Sequence, residues 1–216
     1  MLQINQLNLK MKKTAIILSL MLSLFSGSAV FSQSSGELIK AFSESYTSEY
    51  AGKYDAAINS LKQVYDDNSY EMNLRLGWLN YSAGKFTDAA AYYQKAMTLM
   101  PMSVEARFGA VLPLAALGKW EQVSSIYEEI LKIDPKNTTA NYRQGLILYG
   151  KNKFESSSKY FQQVVNLYPF DYDSLLMLGW ANYKQGKTRE AKVFFQKCLL
   201  VKPADKSASE ALALIK

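Results

Sequence analysis

The chain has 216 residues, of which 49% are apolar, one is cysteine and none is histidine. That is enough apolar side chain to bury a core, and it excludes an intramolecular disulfide, a histidine metal site and any catalytic arrangement built on a Ser-His or Cys-His pair. The net charge is +6, but Lys10, Lys12 and Lys13 carry half of it and no acid precedes Glu37, so the remainder is too mildly basic to expect nucleic acid as a partner.

Residues 1–32 have the pattern of a secretory signal peptide. The three lysines precede an apolar run from Ala15 to Phe25, and the small residues Ser26, Gly27, Ser28 and Ala29 follow. The run is short of the roughly 20 apolar residues that span a bilayer as a helix. Extension through Ala29, Val30 and Phe31 brings an uncleaved anchor within reach, and this is the one membrane attachment to expect. Cleavage after Ser32 places the remainder in the periplasm or outside the cell. Met11 begins a more ordinary leader than Met1 does. Residues 33–37 form a short polar linker.

Beyond the linker the sequence repeats. Residues 76–85 read Leu-Gly-Trp-Leu-Asn-Tyr-Ser-Ala-Gly-Lys, and residues 178–187 read Leu-Gly-Trp-Ala-Asn-Tyr-Lys-Gln-Gly-Lys, three times 34 residues later. Pro101, Pro135, Pro169 and Pro203 keep the same period, as do Gly84, Gly118 and Gly186, with Asn152 filling the vacant place. A period of 34 predicts a stacked helix–turn–helix unit. The glycines predict left-handed residues that end the first helix of each unit, and asparagine is the next residue to tolerate that conformation. The prolines close each second helix. Five units result: 38–69, 70–103, 104–137, 138–171 and 172–205. Residues 206–216, with Ala208, Ala211, Leu212 and Ile215 at helical spacing, predict a capping helix over the last exposed apolar face.

Close antiparallel packing within a unit needs small residues at the crossing. Gly77, Gly145 and Gly179 supply them, opposite Ala89, Ser157 and Ala191. The third unit departs, with Val111 and Val123 at these places and Pro113 inside its first helix. Cys198 shares its column with Val64, Ala96, Ile130 and Val164 and reads as a small buried hydrophobe. Asn137 stands where it or Thr138 caps the next helix. The carboxylates Glu128-Glu129, Asp66-Asp67 and Asp171/Asp173 do not converge, so no catalytic pair, metal site or cofactor site is expected and the chain does not read as an enzyme.

Leu76, Gly77, Tyr81, Gly84, Ala89, Tyr93, Ala96 and Pro101, repeated at Leu178, Gly179, Tyr183, Gly186, Ala191, Phe195 and Pro203, resemble the tetratricopeptide repeat. The resemblance implies an all-α fold, a right-handed α-solenoid of antiparallel helix pairs, with a protein as its partner. It also implies a concave face made by the first helices of the units. On that face Trp78 and Trp180 are the expected anchors, with Arg75 and Arg143 engaging backbone carbonyls or acidic side chains. Phe108, Leu112, Tyr142 and Leu146 are expected beside them, as are Met177 and Lys184. The family's carboxylate clamp is not matched, because Phe42 and Tyr46 stand where a lysine and an asparagine belong. The function expected is an exported scaffold binding an extended or helical segment of another protein, with self-association through an end or the concave face also compatible. A cell-envelope glycan-binding module, its tryptophans stacking on sugars, or an envelope-assembly module is the alternative.

Overall fold

The computed structural model describes residues 35–215, so the leader expected at 1–32 lies outside the described residues. The helices are α1 (35–50), α2 (Tyr54–Lys62), α3 (Tyr70–Ser82), α4 (Phe86–Leu99), α5 (Val104–Ala116) and α6 (Trp120–Ile133). They continue with α7 (Thr138–Gly150), α8 (Phe154–Leu167), α9 (Tyr172–Lys184), α10 (Thr188–Val201) and α11 (Lys206–Leu214). The described residues contain no strand, and no helix among them is long and apolar enough to cross a membrane. They divide into two units, one ending at Asp67 and one beginning at Asn68.

In the larger unit the repeat is written in hydrogen bonds. The helices α3, α5, α7, α9 and α11 start 34 residues apart, each behind a capping side chain. Ser69, Ser103, Asn137, Asp171 and Asp205 accept from the backbone N–H three residues on, at 3.2, 3.1, 3.0, 2.9 and 2.8 Å. Each such oxygen satisfies a donor that the first helical turn leaves open. Asn137 is therefore the cap, through Oδ1. The first helix of every pair then closes in the same way. The N–H of Lys85, Lys119, Lys153 and Lys187 reaches back five residues, and the N–H of the residue before it reaches back three. This double closure requires a left-handed residue between. Gly84, Gly118 and Gly186 supply it at φ near +70°, and Asn152 does so at φ 58°.

The packing follows from one column of small residues facing one column of rings. The Tyr93 ring lies against Gly77, the Phe161 ring against Gly145 and the Phe195 ring against Gly179. A methyl group on Gly145 or Gly179 would approach the opposing ring to 2.7 or 2.6 Å, well inside contact distance. These rings are almost entirely buried, and full burial of a side chain of this size contributes about 1.5–3 kcal/mol. Tyr93 also lies against Gly109 of the following helix, so that glycine carries α5 onto the preceding pair. Cys198 is wholly buried, its Sγ 4.0 Å from the Tyr172 carbonyl oxygen. One terminal helix completes the array: Ala208 and Ala211 of α11 are buried against the last pair.

Pro113 does not end α5, which keeps the thirteen residues of α3, α7 and α9. Its ring is buried in the helix's inner face, and its carbonyl still accepts from Leu117 N at 3.0 Å. Tertiary packing on both sides of the helix outweighs the one lost hydrogen bond.

In the smaller unit, α1 and α2 meet at Gly52, φ 70°, with the same double closure through Gly52 N to Glu49 O and Lys53 N to Ser48 O. Helix α2 has nine residues rather than the fourteen of α4, α6, α8 and α10. It buries Ala57, Ile58 and Leu61 and then stops without a proline.

A candidate partner-binding cleft at the third helix pair

The pair α5–α6 breaks the pattern of its neighbours at two columns. Where α3, α7 and α9 carry glycine, α5 carries Val111. Where they carry Tyr81, Tyr149 and Tyr183, α5 carries Ala115. The first change puts a branched side chain where the neighbouring pairs have none, and α5 and α6 pack more loosely than the other three pairs of this unit. The second removes a partner for the aromatic residue that opens the following helix. Phe86 packs on Tyr81 at 5.7 Å between ring centroids, and Phe154 packs on Tyr149 at 5.1 Å. Trp120, in the same place, faces a column that holds alanine instead of tyrosine and stays 53% exposed.

The space left by these two changes is a cleft of about 730 Å³ between α5, α6 and α7. A volume of this size is in the range of roughly 300–1,000 Å³ typical of ligand sites. Its wall is apolar: Val111, Leu112 and Ala115 from α5, Trp120 and Val123 from α6, and Leu146 and Ile147 from α7. The charged groups that line it are both cations, Arg143 and Lys151. Lys151 is neutralised by Glu121, at 2.8 Å, and this pairing holds the Glu121 carboxyl below its usual range. Arg143 is exposed, and no carboxylate of the described residues pairs with it. Its positive charge is felt at the Tyr127 hydroxyl, where it works against the upward shift that burial imposes. A second, smaller cleft of about 380 Å³ between α4, α5 and α6 already contains a matched pair, Arg107 Nε to Glu129 Oε2 at 3.1 Å.

The residues expected to bind a partner separate into three groups. Leu112, Arg143 and Leu146 come together in the large cleft. Phe108, Tyr142, Met177 and Trp180 are half-buried and belong to the internal packing. Phe108 meets Tyr127 edge-on at 6.3 Å, Tyr142 tilts on Phe161 at 5.7 Å, and Trp180 stands edge-on to Phe195 at 5.1 Å. Trp78 is 41% exposed on α3, tilted against Tyr81, and Lys184 is exposed at the end of α9. Arg75 departs from its expected role: it is only 8% exposed, so its guanidinium is not presented as a surface contact. The two tryptophans of one column thus differ in exposure, and Trp180 belongs to a cluster that includes Phe195 and Ala211 of the capping helix.

Trp120, Ala115 and Ile147 line the cleft and were not among the expected residues. The signal for the first two was present as an absence: Ala115 breaks a tyrosine column, and a ring that has lost its stacking partner is left in solvent.

Among the described residues no cluster of acids and cysteine is placed to hold a metal ion. The model of the tetratricopeptide repeat family matches residues 48–101 and 142–194. No sequence among the curated proteins matches the chain. Among solved structures, a tetratricopeptide repeat protein from Parabacteroides merdae is similar with a TM-score of 0.70 and 18% identity, over 83% of this chain and 72% of that one. MamA protein is similar with a TM-score of 0.68 and 20% identity, over 77% of this chain and 92% of that one. MamA from Desulfovibrio magneticus gives 0.65 and 19%, over 79% and 97%. At these identities the likeness is one of fold.

Proposed function

Because the chain belongs to the tetratricopeptide-repeat family, we propose that it is an exported interaction scaffold that holds a segment of another protein in the cleft of α5, α6 and α7. Such arrays bind through side chains that a rigid stack of helices keeps in place, so little ordering is needed at the moment of binding. The observation that carries the reading is the cleft itself: an apolar recess in the one pair of the larger unit whose small-residue and tyrosine columns are both broken. The leader pattern of residues 1–32 supports export.

Two measurements test this. Capture from a cell-envelope extract should recover a partner with the unaltered chain and with Trp180→Phe, and lose it with Leu112→Asp combined with Leu146→Asp. Retention of the partner by the double variant, its helical content intact, removes the cleft from the reading. Export is tested by N-terminal sequencing of the extracytoplasmic form, which should begin near Gln33; a mature chain beginning at Met1 or Met11 in the cytoplasm contradicts it.

A further inference from the structure

We infer that the occupant of this cleft is an acidic segment of the partner chain, which places one bulky apolar side chain against Leu112 and Leu146 and lays a carboxylate on Arg143. The inference rests on the scaffold reading above and names the chemistry of its partner.

The argument is one of complementarity. An apolar wall rewards burial of an apolar side chain, at about 25 cal/mol per Å² removed from water. The cleft is also short of negative charge. Both charged groups in its lining are cations, and Glu121, which lies on the lysine side and is highly exposed, offsets only one of them. A lysine-rich segment would meet repulsion here, and a neutral segment would leave the Arg143 charge unmatched as water is displaced. A carboxylate instead forms a charge-assisted pair with the guanidinium. The neighbouring small cleft illustrates the difference, since its Arg107 is already satisfied by Glu129 and offers nothing to a visiting acid.

The test uses the full chain and three synthetic peptides. Each carries one phenylalanine in an alanine background, flanked by glutamates, by glutamines or by lysines, with both ends blocked. Calorimetric titration should give binding of the glutamate peptide about tenfold tighter than the glutamine peptide, the worth of one charge-assisted hydrogen bond, and no binding of the lysine peptide. In Arg143→Gln the glutamate and glutamine peptides should bind within about threefold of each other, while Arg143→Lys keeps most of the preference. Equal binding of the two peptides by the unaltered chain, a preference unchanged in Arg143→Gln, or no binding of any peptide overturns the acidic partner. The scaffold reading has its own failure, since it falls only when capture of the partner survives Leu112→Asp with Leu146→Asp.

Discussion

The pairs α5–α6 and α7–α8 follow each other in the chain, have helices of the same lengths and close with the same turn, yet one is sealed and the other is open. In α7–α8, Gly145 admits the Phe161 ring and Tyr149 receives Phe154. In α5–α6, Val111 takes the place of the glycine and Ala115 that of the tyrosine, and Trp120 stays exposed. The backbone repeat is thus indifferent to whether a pair is closed or open, and the side chains at two columns differ between them.

The strongest way to break the comparison is to damage the sealed pair. Phe161→Ala removes a fully buried ring and should cost about 4 kcal/mol in urea unfolding; a loss under about 1 kcal/mol would mean the ring is not what seals the pair. Gly145→Val copies the third pair's small-column change into the fourth. Its Cβ would meet the Phe161 ring at 2.7 Å, and an overpacking cost of about 2 kcal/mol is expected from the same measurement. The reverse change, Ala115→Tyr, restores the missing ring to the third pair. It should fill the cleft, stabilise the chain by about 1 kcal/mol and abolish capture of the partner; a variant that is more stable and still binds would detach binding from the cleft.

Asn137→Ala leaves the Ala140 N–H without its 3.0 Å acceptor at the start of α7, and a loss of about 1 kcal/mol should appear as a lowered midpoint. The smallest effect separates sealed from open by chemistry alone. Cys198 lies wholly inside α9–α10, and burial raises its thiol to about 11. It should resist N-ethylmaleimide at pH 8 in the folded protein, whereas Ala115→Cys in the open cleft should react readily. Because the folded thiol holds its proton more tightly than the unfolded one, its contribution to stability is whole below pH 9. It declines as the pH climbs towards 11. Rapid labelling of Cys198 in the folded chain would show that the last pair is not closed.

Much of this was legible in the sequence. The period of 34, the left-handed Asn152, the capping Asn137 and the buried Cys198 all follow from residue type at a fixed place, because turns and caps are satisfied by atoms a few residues away. The surroundings of the expected contact residues were legible only in part. Leu112, Arg143 and Leu146 meet in the cleft, whereas Trp180 and Phe108 are absorbed by neighbouring rings and Arg75 is buried. The reason is that a helix position fixes which way a side chain sets out, but its exposure depends on the residues of other helices that arrive beside it. Trp78 and Trp180 share the Leu-Gly before them and the Asn-Tyr after, yet Trp78 is exposed and Trp180 half-buried.

What the sequence determined by itself was the brick: helix lengths, turn geometry and the column of small residues against rings, all set by local hydrogen bonding and by spacing. What only the tertiary structure decided was where the wall has an opening. Val111 and Ala115 are unremarkable in a helix, and their consequence appears only when α6 and α7 are laid against them and the volume of the missing ring is left for something else to fill.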